Sequence, residues 1–241
     1  MKKPITIFAS ISSLIIASNA YAEEDASKSL WKASAELGFV ATSGNTETET
    51  LNAKAMASTE SQNWRHKGEI TALKSSDAIT TTAEKYTLMG QSDYKLEGKN
   101  FLFGVLNYEN DKFSGYDYRV SEAIGYGRRV VDESALIVDL EIGPGARQSK
   151  LTPTGETESE AIVRAAAKID WTVSKTSKFA EVLTVEAADE VTITKSVTSL
   201  SSQIEGNLSM KITYTYKNTS EVPVGIEETD TETGITLVYN F

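Results

Sequence analysis

Residues 136–143 read Leu136-Ile137-Val138-Asp139-Leu140-Glu141-Ile142-Gly143. Leu136, Val138, Leu140 and Ile142 fall on one side of an extended chain, and Asp139, Glu141 and Gly143 on the other. A period of two is the spacing of a strand with one apolar and one polar face. The alternation recurs in 161–171, where Ala161, Val163, Ala165, Ala167, Ile169 and Trp171 oppose Arg164, Lys168 and Asp170. It returns at the end of the chain, where Ile235, Leu237, Tyr239 and Phe241 oppose Thr236, Val238 and Asn240.

Working outward, this period predicts twelve strands, near 31–41, 48–57, 64–74, 84–96, 101–110, 119–131, 135–146, 161–172, 179–187, 195–204, 208–217 and 230–241. Segments 48–57 and 161–171 are rich in alanine, but their charges do not fall at helical spacing. The prolines Pro4, Pro144, Pro153 and Pro223 are expected outside strand interiors, where proline would remove a ladder hydrogen bond. Connections are expected to alternate. Long ones lie at 75–83, 111–118, 147–160, 188–194 and 218–229, and short ones at Glu97-Gly98-Lys99-Asn100, Asp132-Glu133-Ser134 and Glu205-Gly206-Asn207. A meander with tight turns at one end and longer loops at the other is the layout of bacterial outer-membrane barrels.

Alternation alone does not separate a soluble barrel from a membrane barrel, but the aromatic residues do. With the short turns placed in the periplasm, Trp31, Trp64, Tyr94, Phe101, Tyr126, Trp171, Phe179, Tyr239 and Phe241 lie near that end, all read as facing with the apolar residues. Phe39, Tyr86, Tyr118, Tyr214 and Tyr216 lie toward the other end. Two aromatic girdles around an aliphatic band suit the two interfaces of a bilayer. The fold expected is therefore all-β, a transmembrane antiparallel β-barrel of about 12 strands, occupying 31–241.

The first 22 residues read as a secretory signal peptide. Lys2 and Lys3 open it, Ile5 to Ile16 is uncharged, and Ala20-Tyr21-Ala22 supplies the cleavage pattern. Residues 23–30 are expected to be a periplasmic lead-in. The chain has no cysteine, so no disulfide staples it. Its formal charge is −10, and removing Lys2 and Lys3 makes it −12. Such a balance lacks the basic footprint of a nucleic-acid binder.

Several motifs carry a family resemblance. They are Ser43-Gly44-Asn45-Thr46, Phe113-Ser114-Gly115-Tyr116-Asp117-Tyr118-Arg119, Gly125-Tyr126-Gly127, Gly143-Pro144-Gly145-Ala146-Arg147 and Thr229-Asp230-Thr231-Glu232-Thr233. Together they resemble the YdiY-like salt-induced outer-membrane protein family, grouped as a domain of unknown function, across about 31–241. The resemblance implies a bacterial outer-membrane location and a barrel fold, and carries over no catalytic residue. Gly234 to Phe241 resembles the terminal strand of outer-membrane barrels generally. That implies recognition of Tyr239 and Phe241 by the barrel-assembly machinery.

Candidate chemistry is sparse. His66, the single histidine, reads as an interfacial polar residue on the lipid-facing side rather than a general base or metal ligand. The acidic groups Glu156, Glu158, Glu160 and Glu227, Glu228, Asp230, Glu232 lack the glycine-turn spacing of a calcium loop, so no metal site and no cofactor are expected. Ser114-Gly115-Tyr116 and Gly143-Pro144-Gly145 read as turns or bulges. The inward face is the informative one. Parity places Lys32, Lys54, Arg65, Lys67, Lys85, Arg119, Arg129, Arg164, Lys168 and Lys211 in the lumen, with Glu36, Glu69, Asp93, Asp139, Glu141, Asp170 and Glu186. These residues either line a polar pore or pair and fill it, and pairing is expected because unpaired charges in a narrow lumen are costly.

The functional expectation is a non-enzymatic envelope barrel, stress or salt responsive, passing at most small ions or solutes. A structural or adhesive barrel is the alternative, its acidic loops contacting lipopolysaccharide, divalent cations or a partner. A membrane-embedded hydrolase stands last, since no Ser-His-Asp or two-metal constellation supports it. Partners expected are outer-membrane lipid and the assembly machinery.

Overall fold

The computed structural model describes residues 31–42, 48–77, 80–152 and 154–241. The expected signal peptide with its cut after Ala22, the lead-in 23–30, Ser43 to Thr46 and Pro153 lie outside the described residues.

Twelve antiparallel strands close on themselves: β1 (Trp31–Thr42), β2 (Thr48–Glu60), β3 (Trp64–Asp77), β4 (Thr80–Lys95), β5 (Asn100–Asp111), β6 (Tyr116–Asp132), β7 (Leu136–Leu151), β8 (Thr157–Thr172), β9 (Ser177–Ala187), β10 (Thr192–Glu205), β11 (Leu208–Thr219) and β12 (Thr229–Asn240). Each pairs with its chain neighbours, and β12 closes on β1 through Ser34 to Leu37. Closure removes the unpaired edges that hydrocarbon would not tolerate. The shortest strand has 11 residues and the longest 17, enough to cross a bilayer when tilted. The stagger is visible in one rung. It starts in mid-β1 at Glu36 and runs through Lys54, Thr71, Thr87, Glu109, Arg119 and Ser149 to Glu158, at the start of β8. A rung that climbs from mid-strand to strand end marks a sheared, tilted barrel. The mouth that carries Trp31 and Asn240 is the terminal mouth below, and the opposite one the distal mouth.

Burial is inside out. Leu37, Phe39, Ile70, Ile124, Ile142, Ile235 and Leu237 are exposed on the outer wall, whereas Glu36, Asp93, Asp139, Glu141, Arg147, Arg164 and Lys217 are buried. A water-soluble core would show the reverse. Trp64 with Tyr94, Trp171 with Phe179 and Tyr239 with Phe241 stack edge-on around the terminal mouth, at centroid distances of 5.0, 6.5 and 5.0 Å. Tyr108 stacks on Tyr118 toward the distal mouth. The chain is a transmembrane antiparallel β-barrel.

Three details differ from the sequence expectation. Phe101 does not join the outer girdle. It is 3% exposed and packs inside the lumen with Phe103, Val105 and Ala123. The long loops are mostly strand. β3 reaches Asp77 and β4 starts at Thr80, while β7 reaches Leu151 and β8 starts at Thr157, so 220–228 is the one stretch of nine residues among the described connections. Polar sequence that reads as loop continues the ladder there. Above the bilayer both faces of a strand can be wet, and the period of two is lost. Pro144 and the glycines around it are interior to β7, not a turn. The β6–β7 ladder skips Ile124 and Gly125 opposite Gly143 and Pro144, which spares the missing proline N–H. The two backbones press together at that point. A Cβ on Gly143 would lie 2.0 Å from the Ile124 carbonyl oxygen, so only glycine fits. Ser114-Gly115 does form a turn, with Gly115 at φ 80°.

Candidate functional site

The inward residues of the twelve strands form three tiers of charge. Near the terminal mouth, Arg65 on β3 bonds Asp93 at 2.7 Å and Asp139 at 3.2 Å, and Arg129 on β6 bonds Asp139 at 2.8 Å. The Arg65 guanidinium also lies 4.9 Å above the Phe101 ring, a cation–π contact.

Glu141 organises the middle tier. Its side chain is 0% exposed and accepts from Arg164 at 3.0 Å and Lys168 at 2.6 Å. Gln91 on β4 donates to Asp93 and Glu141, both at 2.8 Å, and accepts from Lys168 on β8 at 2.6 Å. That chain of bonds joins β4 to β8 through the barrel interior, beside the buried Phe101 and Phe103. Elsewhere on the inner wall Lys54 on β2 bonds Glu69 on β3 at 2.7 Å and Lys211 on β11 bonds Glu36 on β1 at 2.8 Å.

The distal tier crosses the full width. Glu109 on β5 receives Lys217 on β11, at 2.5 Å, and Lys85 at 3.9 Å. Strands β5 and β11 are six apart in a ring of twelve, so they face each other. Arg147, side chain 1% exposed, bonds Glu160 at 2.7 Å, the Val191 carbonyl oxygen at 2.7 Å and Glu186 at 3.8 Å. Ser121 donates to Glu186 at 2.8 Å, and Arg119 donates to Ser149 at 3.2 Å. A cavity of about 410 Å³ opens near the distal mouth beside Asn52, Lys85, Asp111, Asp230 and Glu232. On the rim, Lys112 in the β5–β6 turn bonds Glu84, which holds its ammonium above the ordinary lysine range.

Among the lumen residues expected from parity, Glu36, Lys54, Lys67, Glu69, Asp93, Arg129, Asp139, Glu141, Arg164, Lys168 and Lys211 meet in these ion pairs. Arg119 faces inward over the Tyr116 ring at 4.2 Å. Asp170 is exposed at the terminal mouth, away from the network. Parity reading missed Glu109, Asp111, Arg147, Glu160 and Lys217. His66 is on the outer wall, stacked on Trp64 at 5.5 Å with Nδ1 2.9 Å from the Ser92 hydroxyl. Among the described residues no three His, Cys, Asp or Glu side chains are grouped to hold a metal ion.

A protein-family model described as "Protein of unknown function, DUF481" matches residues 35–241. A relative from Escherichia coli (strain K12), "Uncharacterized protein YdiY", is 28% identical over 206 residues, covering 84% of this chain and 80% of the relative. Among solved structures, the NanC porin superposes with a TM-score of 0.54 at 11% identity, over 86% of this chain and 98% of that one. An outer membrane channel from Pseudomonas putida F1 gives a TM-score of 0.51 at 11% identity, over 88% and 95%. These two likenesses are of fold.

Proposed function

We propose that this chain, which belongs to the DUF481 family of unknown function, is a non-enzymatic outer-membrane barrel whose lumen is closed by its own charges to all but small ions. The observation that carries the reading is that Lys217 reaches Glu109 across the barrel, while Gln91, Glu141 and Lys168 bridge β4 to β8 below. Pairing replaces most of the hydration that these buried charges give up, although among the described residues Arg164 Nε has no partner and Lys195 feels Glu109 without a direct ion pair. The acidic distal rim, with Asp111, Asp230 and Glu232, faces the exterior in this reading and meets lipopolysaccharide through divalent cations. Salt induction rests on the resemblance alone. A wild-type barrel in a planar bilayer conducts little on this account.

The location has its own test. Thr154 is exposed in the β7–β8 connection, and Ser134 lies in the β6–β7 turn at the opposite mouth. With no native cysteine, Thr154→Cys should label on intact cells with an impermeant thiol reagent and Ser134→Cys should not. Labelling of Ser134→Cys alone would invert the barrel in the membrane.

Phe241 is exposed beside Tyr239, and its N–H donates to the Ala33 carbonyl oxygen at 2.9 Å across the seam. The side chain adds little packing, so its proposed role is as a signal to the assembly machinery. Deleting Phe241 should sharply lower the heat-modifiable folded fraction in cells while leaving refolding in detergent near normal. Normal yield in cells contradicts the assembly role.

A further inference from the structure

The outer wall carries two charges beside the terminal girdle. Arg128 on β6 points outward, is exposed, and has no hydrogen bond or ion pair among the described residues. It lies one outward step toward the terminal mouth from the girdle residue Tyr126, with Val130 exposed beyond it. Glu181 on β9 shares the outward side of Leu183. Its carboxylate is met by hydroxyls alone, Ser196 at 2.6 Å and Thr198. It stands one outward step from the girdle residue Phe179. A charge this close to the hydrocarbon is least costly where a counter-charge meets it.

The two charges flank a shallow groove. Tyr126, Leu140 and Ile142 form one bank, Leu183 and Val185 the other, and the small side chains Ala165 and Ala167 of β8 make the floor, enclosing about 460 Å³. Arg128 pairs in register with Leu140, Leu140 with Ala167, and Ala167 with Leu183. Rungs climb from β6 to β9 with the tilt of the strands, and the step from Leu183 down to Glu181 brings the carboxylate back toward the depth of Arg128.

We propose that the β6–β9 wall is the interface with a second copy of this chain, related by a two-fold axis along the membrane normal near the β7–β8 seam. Such an axis keeps depth and exchanges sides. It sets Arg128 of each copy against Glu181 of the other, twice, as an isologous interface requires. The alanine floor lets the two walls approach, the role small residues play where membrane segments pack. A phospholipid headgroup over Arg128 is the competing occupant, and the test separates the two.

The test uses the full-length protein in mild detergent and in native membranes, with heat-modifiable migration as the check that each variant has folded. Native mass measurement should find a dimer for the wild type and monomer for Arg128→Glu and for Glu181→Arg. The combined charge swap should restore the dimer. Ala167→Cys, a one-atom change near the axis, should cross-link to itself in native membranes, while Ile70→Cys on the far wall should not. A monomer that retains phospholipid, losing it on Arg128→Gln, overturns the proposal in favour of a lipid site. So does failure of Ala167→Cys to cross-link, or a dimer indifferent to both single charge reversals.

Discussion

Glu141→Ala is expected to lower unfolding stability by about 3–5 kcal/mol, the usual cost of removing one partner from a buried ion pair. Glu141 is fully enclosed and is the shared acceptor for Arg164, Lys168 and Gln91. Without it, two cations remain beside the Phe101–Phe103 cluster. Asp93 and Asp139 cannot take them over, because Arg65 and Arg129 already occupy both. Urea unfolding of the barrel refolded into lipid vesicles measures the change. The triple change Glu141→Ala, Arg164→Met, Lys168→Met should recover much of the loss, since apolar replacement of a whole buried pair is often neutral. A loss below about 1 kcal/mol for Glu141→Ala alone would mean that water fills this tier and screens it, as at an exposed pair.

The second large effect is on the lumen. Glu109→Ala with Lys217→Ala removes both ends of a bridge that spans the barrel, leaving Lys85 its contact with Asp111 at 3.8 Å. Lys217 leaves with its acceptor and Lys85 keeps Asp111, but Lys195 loses the Glu109 charge, so the urea midpoint should fall modestly while the barrel still folds. The conductance should rise severalfold as electrolyte enters between β5 and β11. An unchanged conductance in a folded double variant would place the barrier wholly in the Gln91–Glu141–Lys168 tier.

Much of this was legible because a strand buried on one face writes its period into the chain. The lipid-facing runs Leu136 to Ile142 and Ala161 to Trp171 fixed strand and side at once, and with them the inward parity of Asp139, Glu141, Arg164 and Lys168. The reading failed where the two faces stop contrasting. β5 is apolar on both, with Phe101, Phe103 and Val105 inward and Leu102 and Leu106 outward. Period two vanishes there. Taking Phe101 as a girdle residue turned the strand over and hid Glu109 and Asp111. At the distal ends both faces are polar, so Arg147 and Glu160 read as loop although they pair deep in the wall. Partners across the lumen were beyond reach in any case. Which lysine meets Glu109 depends on the stagger summed around twelve strands, and no local pattern records that sum. The outward charges Arg128 and Glu181 were visible as breaks in alternation, but only the register shows that they flank one groove.

A barrel filled by its own paired charges should barely conduct. Single-channel recording of the purified wild-type protein in a planar bilayer tests it most directly. Currents should be small or absent, with a cation bias at low salt from Asp111, Asp230 and Glu232 at the distal mouth. That bias should vanish at 1 M salt, where the screening length falls to about 3 Å. A large, steady, porin-sized current from the unmodified protein would contradict the account.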